Sequence, residues 1–503
     1  MVNRGRLSLA CAPCRAKKLR VRLLVIPIDN TSSFFTEVLL TTGCYDYQCD
    51  LQPDTCGQCR RARTICHGYR NPDALQFHDE SLSIETKVVA RRSKTPVKLL
   101  PTQPTGFELS WDAKARYAFF STYIASFTRS MGEVPFYYRT AQASDHLSAS
   151  VEAASLAFMG SQLHSAQLIG LANSRYIVAI RRLNHALVYM DPQQAEKLLQ
   201  SVLLLDMYEK MVHRKPGATQ SWISHAKGGL SLLDTHARDI ISTPTGCQLA
   251  ARLTAAVTVT SMTVGECIPN QLMALRRNIH HRVHSPKWTF LGILAHIANL
   301  KTQADRGEIS KAQIVVKARG LYSQLDELDR MRTSSWEPQR IQNPGENTLV
   351  LGDYYDVYPD HYINQVSNAF RTARLLLHKI IRQHAPEHFN QSAEDSCGDI
   401  NRMVDQTCAS VPQFILRGVR DTNALPFSPL QQLQCSTLLA PLFFVHQMTG
   451  NPLVQSWIGR CLNFMWTSGG LRAAKEVLEL IETQPDLDYW TVHAMTGSYA
   501  FTA

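Results

Sequence analysis

From Phe107 onward, apolar residues recur at intervals of three and four, the spacing that lines one face of an α-helix. AKARYAFFSTYIASFTRS (Ala113 to Ser130) follows this pattern. So does QQAEKLLQSVLLLDMYEKMVH (Gln193 to His213), which is preceded by Asp191 and Pro192 as a start signal. The same periodicity predicts helices near 146–190, 219–236, 247–278, 288–303, 308–330, 360–385, 397–418, 428–449 and 468–483. Strand alternation bounded by hairpin turns is nearly absent, and no fixed repeat of solenoid length is evident. The expected fold class is mostly α, with one large all-α domain over 106–503.

The first part of the chain reads differently. Residues 70–105 are polar and punctuated by proline, the composition of a linker, with KVVARRSKTPVK (Lys87 to Lys98) at their centre. Arg91, Arg92, Lys94 and Lys98 suit either a nuclear-import or phosphate-contacting patch or a solvated linker. No a/d heptad pattern persists across 70–110, so a coiled-coil dimer is not expected there.

Composition allows a sizeable core, with 45% apolar and 19% charged residues among 503. The formal net charge of +10 is unevenly spread. Residues 1–105 hold 16 Lys and Arg against 9 Asp and Glu, or +7, and the remainder holds 36 against 33, or +3. Such a concentration of positive charge is what an electrostatic footprint for phosphates requires. No apolar run is long enough for a membrane span, and Arg4 and Arg6 do not suit a signal peptide. Of the 13 cysteines, seven fall within the first 66 residues. Metal-bound thiolates in a reduced intracellular compartment fit this distribution better than disulfides.

Those cysteines have a register. Cys11 and Cys14 form one C-x2-C pair and are followed by Arg15, Lys17, Lys18 and Arg20; Cys56 and Cys59 form a second, with six residues between Cys49 and Cys56 and six between Cys59 and Cys66. If residues 21–48 are removed, Cys49 follows Arg20 directly and the spacing becomes C-x2-C-x6-C-x6-C-x2-C-x6-C. The joined segment, ACAPCRAKKLR followed by CDLQPDTCGQCRRARTICHGY, resembles the DNA-binding domain of the fungal binuclear zinc-cluster transcription factors. The likeness includes the basic run, Pro53 before the fourth cysteine, and Gly68 and Tyr69 after the sixth. Within the helical region, SWISHAKGGLSLLDTHA (Ser221 to Ala237) looks like a segment of that family's fungal-specific regulatory domain.

The resemblance implies two Zn2+ ions held by six thiolates, with Cys11 and Cys56 bridging, Cys14 and Cys49 completing one site, and Cys59 and Cys66 the other. It implies a nuclear, sequence-specific regulator of RNA polymerase II genes, commonly metabolic or secondary-metabolite genes, rather than an enzyme. Its partners would be double-stranded DNA, coactivators or corepressors, and a second copy in a homodimer. Lys17 and Lys18 would read a CGG triplet in the major groove, where guanine offers O6 and N7 to a cationic donor. Arg15, Arg20, Arg60, Arg61 and Arg63 would contact phosphates. Residues 1–69 are then the zinc-cluster module and 70–105 the linker.

The insert 21–48 is foreign to that pattern. It begins with Val21, whose codon starts GT, and ends with Gln48, which CAG can encode, while Leu40-Thr41 can encode CTAAC. These are the letters of a splice donor, acceptor and branch site, so a retained intron is the simplest account. The rival account is a genuine insertion that places Cys44 as third ligand. In that form the chain is a helical regulatory or interaction protein with an inactive cluster.

Three further expectations follow. His280, His281 and His284 lack carboxylate or thiolate neighbours at helical spacing and read as a polar surface turn. The absence of HExxH, P-loop, dinucleotide and GxSxG motifs leaves catalysis without local support. AKEVLELIETQPDLDYW (Ala474 to Trp490) alternates acidic and apolar residues and suits either an activation segment or, preferably, a packed terminal helix.

Overall fold

A computed structural model of the chain describes residues 13, 20–21, 48–49, 54–67, 109–142, 145–189, 194–214, 220–283, 285–343, 345, 347–385 and 391–497. The chain divides into two compact units, Met1–Gly106 and Phe107–Ala503. In the first, strand β1 (Arg20–Val21) pairs in parallel with β2 (Gln48–Cys49), and a short helix, α1 (Gly57–Arg61), lies beside β2.

The second unit is mostly α. Helix α2 (Trp111–Ala118) continues as a π-helical stretch over Phe119–Phe127, and α3 (Val134–Thr140), α4 (His146–Gln162), α5 (Ala166–Val188) and α6 (Ala195–Val212) follow. Next come α7 (Gln220–Ile241), α8 (Pro244–Val264), α9 (Asn270–Ile279), α10 (Pro286–Asp305) and α11 (Lys311–Arg330). An antiparallel hairpin of β3 (Gln339–Gln342) and β4 (Tyr354–Val357) separates these from α12 (His361–His384), α13 (Gln391–Ala409), α14 (Pro412–Ile415), α15 (Pro429–Met448), α16 (Pro452–Thr467), α17 (Arg472–Thr483) and α18 (Tyr489–Gly497).

Local chemistry sets the helix boundaries. Thr243-Pro244, Ser285-Pro286, Ser428-Pro429 and Asn451-Pro452 each pair a capping side chain with a proline in the first turn, where its missing N–H costs no helical hydrogen bond. Ser310 and Gln313 close a reciprocal capping box on α11. The segment expected as one helix over 146–190 is broken at His164, whose φ of 50° turns the chain, and Ser165 then caps α5. Likewise 247–278 breaks at Gly265, which ends α8 in the left-handed conformation that glycine adopts without a Cβ clash. The hairpin is a departure from the expected all-helical pattern, because four-residue strands carry too little alternation to register.

Two apolar clusters form the core. Phe119, Tyr123, Phe158 and Tyr208 anchor the one joining α2, the π stretch, α4 and α6, while Trp288, Phe370, Phe443 and Trp457 anchor the larger one. Tyr176 on α5 packs against both. On α7, Gly229 lets this helix approach α8, since a Cβ there would meet Leu253 Cδ1 at 2.6 Å. Gly229 and the histidine of the Ser221 to Ala237 stretch thus have a packing explanation, with His225 hydrogen-bonded to the Tyr176 hydroxyl at 3.0 Å, whereas a Cβ at Gly228 would meet nothing within 4 Å. The C-terminal acidic and apolar stretch is a packed terminus: Val477, Leu480 and Trp490 are buried.

His493 on α18 is buried between rings, stacked on Tyr489 at 5.8 Å and edge-on to Trp490 at 5.4 Å. Burial, with the nearby Lys210 cation adding to it, pushes its pKa down to about 4. Above the ordinary value of about 6.5 the ring is neutral folded or unfolded, so it adds no pH dependence. Below that value the unfolded chain takes up the proton first, and stability falls until about pH 4, by about 3 kcal/mol in total. Urea unfolding at pH 7 and pH 4.5 is expected to show this loss in the native chain and a smaller one in His493→Gln. Equal losses in both would contradict the assignment.

Candidate metal centre

Cys56 sits in extended conformation (φ −66°, ψ 148°) as N-cap of α1, and its Sγ accepts the Cys59 backbone N–H at 3.3 Å. One helical turn therefore places Cys56 and Cys59 on the same side. The helix stops at once: Thr64 N–H reaches back to the Cys59 carbonyl at 3.0 Å, and Arg63 turns the chain with φ 50°. This reversal returns Cys66, and the three sulfurs lie within 4.8 Å of one another. Cys56 and Cys59 are buried and Cys66 is partly exposed.

The donor set fits a thiophilic cation. Thiolates arranged tetrahedrally at about 2.3 Å from a metal sit about 3.8 Å from one another, so small side-chain rotations suffice to close these three on one ion. Residues 54–67 supply few large apolar side chains of their own. Their buried apolar residues are the two cysteines, while Ile65, the one large apolar side chain, is 77% exposed. A segment without an apolar core draws its folding free energy from such a ligand.

The cysteines brought together are three of the four that the sequence resemblance allots to one ion, with Cys56 as one of its two bridges. Cys49 is described by its backbone alone, in β2 beside α1. Cys11, Cys14, Arg15, Lys17 and Lys18 lie outside the described residues, and Arg20 is described by its backbone in β1. Arg60, Arg61 and Arg63 are exposed. Arg60 donates to the Thr55 carbonyl and Arg61 to the Gly57 carbonyl, each at 3.3 Å, which holds both stems along α1 and leaves further guanidinium N–H groups for an anion.

The other sequence candidates are structural or elsewhere. His280 and His281 are exposed in the turn after α9, and His284 lies outside the described residues. Among the described residues, no helix is long and apolar enough to cross a membrane. Arg252 and Lys287, which no motif marks, line a cavity in the helical unit because the fold joins α8 and the start of α10. No family model matches the chain, and no curated protein or solved structure is significantly similar to it.

Proposed function

We propose that this chain is a zinc-dependent, sequence-specific DNA-binding regulator of transcription that acts in the nucleus on RNA polymerase II genes. The observation that carries the reading is the convergence of Cys56, Cys59 and Cys66 within 4.8 Å, in the register of two C-x2-C pairs. Zinc, when bound, supplies a cross-link that fixes the two halves of the module. Six thiolates hold two such ions only if two sulfurs bridge, the role proposed for Cys11 and Cys56. The chain's own residues then do the recognising. Lys17 and Lys18 donate to guanine O6 and N7 in the major groove, while Arg15, Arg20, Arg60, Arg61 and Arg63 neutralise phosphates.

The insert is consistent with a removable segment. Pairing of Arg20 with Gln48 and of Val21 with Cys49 joins its two ends, so a chain lacking 21–48 runs from Arg20 to Cys49 across a gap already closed. Sequencing cDNA across that junction reveals which form is made.

The roles are separable by substitution in the spliced form. Lys18→Ala is expected to reduce discrimination between CGG-containing and scrambled duplexes by about 1–3 kcal/mol. Arg61→Ala is expected to weaken both duplexes alike and to lower the slope of log affinity against log salt by about one. Fluorescence anisotropy titrations at several salt concentrations distinguish the two, and equal, sequence-blind losses from both changes would contradict the assignment.

A further inference from the structure

A cavity of about 830 Å3 opens between the turn before α3 and the first turns of α8 and α10. Its lining includes four cations, Arg129, Arg252, Arg282 and Lys287, and a single carboxylate, Glu133. Arg129 pairs with Asp360, Arg282 donates to the Ile241 carbonyl, and the Lys287 ammonium lies 5.9 Å from the centre of the Tyr362 ring. Arg252 is different. The residue is 9% exposed, its Nη1 donates to Gln200 Oε1 at 3.1 Å, and the carboxylates that attract it, Glu133 and Asp206, are not within ion-pair distance. Lys287 is half-buried and close enough to repel it.

The cost of gathering these charges shows in their titration: burial brings Arg252 down to about 10, and burial plus Arg252 bring Lys287 down to about 8. Two backbone termini add to the same field. Thr243 and Pro244 open the 21-residue α8, and Ser285 and Pro286 open the 20-residue α10, with Thr243, Pro244 and Ser285 on the cavity wall. Helix N-termini carry partial positive charge and favour anions. The remaining wall is apolar at Ala251, Ala255, Leu291 and Trp288.

We infer that this cavity is a binding site for a small organic anion with an apolar body, its acidic group held between Arg252 and Lys287 and its body against Ala251, Ala255 and Leu291. Glu133 and Asp206 attract Arg252 but neither forms an ion pair with it, so burial still disfavours its charge and an incoming anion relieves that cost; a mixed apolar and cationic cavity of this size suits a small molecule. The site lies wholly in the helical unit and stands whether or not the metal centre binds DNA.

Two fluorescent probes that differ by one acidic group test this on the full chain: 1-anilinonaphthalene-8-sulfonate and its uncharged analogue N-phenyl-1-naphthylamine. The sulfonate is expected to bind about tenfold or more tightly than the neutral probe, the worth of one or two charge-assisted hydrogen bonds. Lys287→Gln and Arg252→Met are each expected to weaken the sulfonate by about tenfold and leave the neutral probe unchanged. Ala251→Trp, which fills the apolar side, is expected to weaken both probes. Because Arg252 is buried, the Lys287 variant carries the result if far-UV circular dichroism shows the Arg252 variant unfolded. Equal affinity for the two probes, or full sulfonate binding by folded Lys287→Gln or Ala251→Trp protein, overturns the inference.

Discussion

Chelation is expected to unfold residues 54–67 and to leave the helical unit folded. Among its own apolar residues this segment buries only Cys56 and Cys59 and leaves Ile65 in solvent, so its own side chains offer little hydrophobic stabilisation in place of a metal. Structural zinc contributes about 10–16 kcal/mol of apparent binding free energy in zinc-finger peptides, and a contribution of that order here would far exceed any local hydrogen bond. Trypsin reads the outcome directly, because Arg60, Arg61 and Arg63 lie on and just after α1. With zinc present, cleavage at these sites is expected to be slow; after treatment with a strong chelator it is expected to be fast, with far-UV helicity of the whole chain nearly unchanged. Cys59→Ser is expected to be cleaved fast with or without zinc. Protection that survives the chelator would show that the three thiols are not metal ligands.

Removing Lys210 or Asp206 alone is expected to destabilise the helical unit by about 3–5 kcal/mol, whereas replacing both together is expected to restore most of the loss. Lys210 is fully buried, pairs with Asp206 at 2.6 Å one helical turn away, and lies 5.7 Å from the centre of the Trp222 ring. Taking two charges out of water is costly, and the pair persists because each ion offsets the other. Lys210→Met leaves a carboxylate buried without its cation, and Asp206→Leu leaves an ammonium. The double variant leaves neither. Urea midpoints by circular dichroism give the cycle, and a double variant as unstable as the sum of the singles would show that the two charges are not coupled. His493 offers a second readout: with Lys210 gone, one cause of its low pKa is gone, so the loss of stability between pH 7 and pH 4.5 should shrink.

Helical texture was legible because an amphipathic face repeats over many turns, as in Ala195–Val212 and Lys311–Arg330. Breaks at His164 and Gly265 were less so, since a single left-handed residue inside a continuing apolar pattern leaves the periodicity almost intact. Helix Pro452–Thr467 escaped notice although Asn451-Pro452 is a cap-and-proline start, and Gln339–Gln342 with Tyr354–Val357 was too short to show alternation. The cysteine site was visible at once because its ligands are close in sequence and spaced by rule. The cavity was invisible for the opposite reason. Arg129, Arg252 and Lys287 come from three distant stretches, and each looks like an ordinary solvated cation until the helices are packed.

Zinc-dependent base recognition is the central claim, and one titration tests it most directly. Zinc-loaded protein from which only residues 21–48 are removed is mixed with a labelled duplex containing CGG and with a scrambled duplex of equal length, and anisotropy is followed at physiological salt. The expected result is binding to the CGG duplex at least about 10³ tighter than to the scrambled one, abolished by chelator and restored by zinc. Equal affinity for both duplexes, or a preference that survives the chelator, would contradict the account.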